Sequence, residues 1–99
     1  YVRMTPKEVL IAAKALIDTP DKWLRGKASA DGAYCAWGAV IQVGTQLTMY
    51  DACELLASVV PQSRRRPDVN LTIWSYNDSH THGAIMRLFD RAIEAANEP

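Results

Sequence analysis

A small, mainly α-helical domain is the fold class this sequence predicts, with four helices in an orthogonal or bundle-like arrangement and a short extended segment near residues 69–74. Three observations carry that expectation. Apolar residues recur at three- and four-residue spacing in four separate segments, the period of one buried face of a helix. Residues that start or stop helices stand at the ends of those segments, among them Thr5-Pro6, Gly44, Thr48, Pro61 and Thr81. Between the third and fourth segments, Val69, Leu71 and Ile73 alternate with Asn70 and Thr72, the period of a strand with one buried side.

Thr5-Pro6-Lys7-Glu8 opens the first helix as a capping box with proline at its first position. The Thr5 hydroxyl can accept from the amide three residues on, and Glu8 can reach back. Val9, Leu10, Ala12, Ala13, Leu16 and Ile17 then form the apolar face, and Asp18-Thr19-Pro20 ends it because the residue before proline is pushed out of helical geometry. Asp21–Arg25 allows one more short turn anchored by Trp23 and Leu24. Residues 26–32, small, polar and bounded by glycine, read as an exposed loop.

The densest packing signal is Asp31-Gly32-Ala33-Tyr34-Cys35-Ala36-Trp37-Gly38-Ala39-Val40. A polar turn leads there into a second helix, over about residues 34–43, whose small residues let other backbones come close. Having no clear polar face, it belongs at the centre of the fold. Gly44 is placed as its left-handed stop. Thr48-Met49-Tyr50-Asp51 caps a third helix carrying Ala52, Cys53, Leu55, Leu56, Val59 and Val60, and Pro61 closes it. The short connection makes the two helices antiparallel neighbours. Residues 74–82 read as a polar, aromatic turn, with Thr81 as N-cap of a last helix bearing Ile85, Leu88, Phe89, Ala92, Ile93 and Ala96. Asn97 is its expected stop.

Ninety-nine residues suffice for one core and one domain. Eleven basic and eleven acidic side chains cancel, so no global field draws the chain to nucleic acid or an anionic membrane. The apolar runs fall well short of the roughly 20 residues needed to span a bilayer, and no charged-then-apolar leader opens the chain. The expectation is a cytoplasmic protein that makes no membrane contact. Cys35 and Cys53 lie in apolar helical patterns, where cysteine behaves as a small buried hydrophobe, so they are expected not to bridge.

The Cys35-Ala36-Trp37-Gly38-Ala39 segment and the later Tyr76-Asn77-Asp78, ahead of Thr81, are similar to the motifs of a family of short proteins from actinobacteria and their phages. Members carry a Cys-Ala-x-Gly-Ala element and a later Trp-Asn-Asp element. The pattern falls on Cys35, Ala36, Gly38, Ala39, Asn77 and Asp78. It departs at Tyr76, where the family usually has tryptophan, while Trp74 lies two residues earlier. The resemblance implies a compact, mostly helical domain of unknown function and names no substrate.

No motif in the chain has a spacing that forces a particular reaction. The nucleophile candidate is Cys35. A thiol in a first helical turn feels the positive end of the dipole, and His80 or His82 could serve as base with Asn77 or Asp78 as orienter. Against that stands the simpler expectation of a buried packing residue. Asp78, His80 and His82 alternate, so with Cys35 they could surround zinc, but no Cys-x-x-Cys or His-x-x-x-His spacing supports a metal and none is expected. Asn77 and Asp78 fit better as a structural pair bonding backbone amides and fastening the final helix to the loop before Tyr34. Arg64, Arg65 and Arg66 could grip phosphates beside Trp74 and Tyr76, yet a short run in a neutral chain reads more simply as a solvated loop. No cofactor is implied. Elimination leaves a binding or accessory domain whose partner is another protein as the leading expectation, a small cysteine-dependent hydrolase or transferase as the alternative, and nucleic-acid binding as a third.

Overall fold

The computed structural model describes residues 5–45 and 48–96. In chain order the elements are α1 (Pro6–Leu16), a 3-10 turn (Pro20–Lys22), β1 (Ser29–Ala30), β2 (Ala33–Tyr34), α2 (Ala36–Val43), α3 (Thr48–Ser58), a second 3-10 turn (Gln62–Arg64), α4 (Val69–Ser79) and α5 (His82–Ala95). The architecture is thus mainly helical, with five α-helices among the described residues where four were expected.

The extra helix is the expected extended segment. Val69–Ser79 is helical because Asp68 caps it, its side chain accepting from the Leu71 amide at 3.1 Å. A helical period was also present in the same residues. Thr72, Ile73, Tyr76 and Asn77 form its buried face, whereas Leu71, one of the three alternating apolar residues, stays 46% exposed. The Thr72 hydroxyl donates back to the Arg66 and Asp68 carbonyls, which tightens the first turn. Residues 74–79, read as a turn, complete this helix, so Asn77 and Asp78 sit in its last turn.

The two-stranded pairing lies instead in the stretch expected to be a loop. Ser29 pairs with Tyr34 and Ala30 with Ala33 in an antiparallel hairpin. Asp31 (φ 51°) and Gly32 (φ 83°) both have the positive φ that a tight two-residue hairpin turn of this hand requires. Trp23 makes a parallel bridge with Tyr34, and residues 23–35 form an arm bonded to the last turn of α4 and packed on α2.

Helix ends also differ in detail. Thr5 and Glu8 form the capping box and Thr81 caps α5, as the sequence indicates. Cys35 is the N-cap of α2 rather than a first-turn residue, its sulfur accepting from the Gly38 amide at 3.2 Å. Gly44 has φ −82°, so it is not a left-handed stop. It is short of room, since a Cβ there would lie 2.8 Å from that of Met49. At the start of α3, Thr45 and Thr48 cap one another, each hydroxyl accepting from the other's amide. Asn97 lies outside the described residues.

The core is shared by all five helices. Val9, Leu10 and Ala13 of α1 meet Ala36, Ala39 and Val40 of α2, and Ala52, Cys53 and Leu56 of α3 join Ile73 of α4 and Ile85, Leu88 and Phe89 of α5. Helix α2 packs against α1, α3 and α4, but α3, which packs against all four other helices, is the more central of the two. Cys35 and Cys53 are both free and buried.

Candidate functional site

The arm and the end of α4 enclose a closely connected polar cluster. Asn77 projects from α4 with no exposed surface. Its Oδ1 accepts from the Trp23 indole at 2.6 Å and from the Ala36 amide, an unpaired donor in the first turn of α2, at 3.0 Å. Its Nδ2 donates to the Leu24 carbonyl at 3.1 Å and to Asp78 Oδ1 at 3.2 Å. One amide side chain thereby satisfies groups from the arm, α2 and α4, each of which would be costly to bury alone. Asp78 continues the fastening, its Oδ1 accepting from the Gly26 amide at 3.0 Å.

Beside this cluster lies a cleft of about 280 Å³ lined by Gly26, Lys27, Ala28, Cys35, Trp74 and Asp78. Cys35 forms part of its wall but is only 4% exposed. Burial pushes the Cys35 thiol above its ordinary range, the Gly38 and Trp37 amides pull it partly back, and the Asp78 carboxylate adds to the rise. Trp74 stands 41% exposed and is braced edge-on by Trp37, with ring centroids 5.2 Å apart. Trp37 is itself held by Asn70, whose Oδ1 accepts from the indole at 2.9 Å.

A family model, described as a family of unknown function (DUF6197), matches residues 2–95. The chain belongs to that family. No curated protein and no solved structure matches it.

The residues singled out in this DUF6197 chain separate into three groups. Cys35 and Asp78 share the cleft, and Asn77 lies behind it. Neither histidine lines it. His82 Nε2 lies 2.6 Å from the Ile17 carbonyl, which requires that nitrogen to be the donor. His80 stacks on Tyr76 at 3.7 Å, with Nδ1 2.9 Å from both the Tyr76 carbonyl and the Ser79 hydroxyl. Among the described residues, no three His, Cys, Asp or Glu side chains come together as a metal site. The arginines lie elsewhere. Arg65 donates to the Val60 and Ser58 carbonyls at 2.9 and 2.5 Å, satisfying the end of α3, while Arg64 and Arg66 stand exposed in the loop.

Asn77 and Asp78 do fasten the loop before Tyr34, but to α4 rather than to the final helix, and sequence reasoning did not single out Trp23, Gly26 or Lys27 there. The hairpin that brings them there was signalled by Asp31-Gly32 alone. Trp74 was noted as a possible base-stacking residue and as lying two residues before the family's tryptophan position, and its place on the cleft beside Cys35 follows from α4 being a helix.

Proposed function

We propose that this chain is a binding domain for another protein, and that the cleft between the arm and α4 is where the partner is engaged. The observation that carries this reading is the exposed, braced Trp74 beside a buried thiol. Large aromatic side chains held rigid at the surface are the groups that dominate protein interfaces. Leu71, one turn earlier and also exposed, extends the apolar face of α4 beyond the cleft.

Thiol chemistry is less well supported. A catalytic cysteine needs a base within hydrogen-bond reach and a lowered pKa. Here both histidines are engaged outside the cleft, and burial and Asp78 push the thiol the other way. Nucleic-acid binding is also less favoured, because Arg65 is committed to α3 and the basic and acidic side chains of the chain cancel. The Cys-Ala-x-Gly-Ala and Asn-Asp elements support an origin among actinobacterial or phage proteins, and two free cysteines fit a cytoplasmic setting.

Alkylation of the folded protein by iodoacetamide at neutral pH tests the choice. A binding domain predicts that Cys35 and the buried Cys53 both label no faster than the rate set by unfolding, and that His80→Ala and His82→Ala leave the Cys35 rate at that limit. Rapid labelling of Cys35, slowed by either histidine substitution, would replace this reading with the thiol enzyme.

A further inference from the structure

We infer that the cleft takes the cationic side chain of an arginine or lysine presented by the partner, laid over the Trp74 indole and ending at the free oxygen of Asp78. This rests on the cleft being the binding site and names the chemistry it recognises. Trp74 and Asp78 are four residues apart on α4, so they are adjacent on one helical face. Both are held before any ligand arrives, Trp74 by its edge contact with Trp37 and Asp78 by the Gly26 amide and Asn77. Those bonds use only Oδ1. Among the described residues Oδ2 carries no hydrogen bond or ion pair, which leaves an exposed residue with an unused carboxylate oxygen on the cleft that Trp74 also lines.

That pair suits an organic cation. An indole face attracts ammonium and guanidinium groups through its quadrupole, and a carboxylate supplies the counter-charge and hydrogen-bond acceptor. An aliphatic stem lying on Trp74 removes apolar surface from water at the same time. Lys27 is the group on this cleft that opposes a cation. It is exposed and makes no ion pair with Asp78, so it contributes a like charge that a ligand must displace.

The three charged or aromatic groups therefore give a signed test. The full chain, labelled with 15N, is titrated with N-acetyl-arginine amide, N-acetyl-norleucine amide and N-acetyl-glutamate amide while the Trp74 indole N–H and Gly26 amide resonances are followed. Capped arginine is expected to give saturable shifts in the millimolar range, and the other two probes none. Asp78→Asn keeps the acceptor for Gly26 and removes the charge, so it should weaken capped arginine about fivefold. Lys27→Met should tighten it by about twofold to fivefold, and Trp74→Ala should abolish the saturable shift.

Any of four results overturns the inference. Capped arginine gives no saturable shift, or capped norleucine matches it. Asp78→Asn and Lys27→Met both weaken binding, which marks a zwitterionic ligand. Asp78→Asn tightens capped glutamate, which marks an anion. Each leaves the domain's binding role open to another ligand, whereas rapid alkylation of Cys35 would remove that role without changing the titration.

Discussion

Asn77 occupies a position where no other side chain of similar size can make the same set of bonds. An acceptor must face Trp23 and Ala36 while a donor faces Leu24 and Asp78, and only an amide offers both. Asn77→Ala leaves the Trp23 indole, the Ala36 amide and the Leu24 carbonyl without their partner, and is expected to cost about 3 kcal/mol in urea unfolding. Asn77→Asp should also destabilise, because it removes the donor and places a carboxylate beside Asp78. Cys53 makes a second residue-scale prediction. Burial pushes its thiol up to about 11 from an ordinary 9.0. The folded state therefore holds the proton more tightly, so this contribution is complete below pH 9 and is lost as pH rises towards 11. Urea unfolding between those values should show a fall in stability that is shallower in Cys53→Ala.

At the scale of elements, α2 and α4 show how far local pattern reaches. The small-residue helix was legible because Ala36, Gly38 and Ala39 have no other evident reason to stand together, and Gly38 bears this out. A Cβ there would overlap the Ala28 carbonyl oxygen and lie 2.8 Å from its carbonyl carbon. Gly38→Ala should thus lower stability by about 2 kcal/mol or more, and Gly38→Leu by more again, each read from the thermal midpoint. Helix α4 was not legible as a helix. Its first five residues satisfy both a two-residue and a helical period; of the deciding features, the Asp68 cap acts on Leu71 three residues on, whereas the buried Asn77 acts through partners far along the chain. Asp68→Ala should cost about 1 kcal/mol, measured by the same melting experiment. Missing α4 also hid the cleft. Cys35, Asn77 and Asp78 were found by residue type, but Gly26 comes to Asp78, and Lys27 to the cleft, beside a hairpin whose pairing no apolar period announces.

Across the whole molecule, one core joins five helices and two sets of charges tune its exterior. Lys14 of α1 pairs with Asp90 of α5 at 2.5 Å, linking the first and last helices. The carboxyl groups of Glu8 and Asp21 are held below their ordinary values of 4.5 and 3.8, Glu8 chiefly by the Thr5 amide and Asp21 chiefly by the Thr19 side chain. Each therefore adds stability that is present above the ordinary value and is lost as pH falls through the lowered one. Both groups are fully exposed, so the thermal midpoint should decline gently rather than collapse below about pH 4.

The bond from Ala36 to Asn77 has a consequence for how opening of this domain would be observed. Most helical amides exchange with solvent when their own turn frays. The Ala36 proton is instead held by a side chain 41 residues away, so it is released only when α4 and α2 part. In deuterium oxide that single proton would time the separation of two halves of the chain.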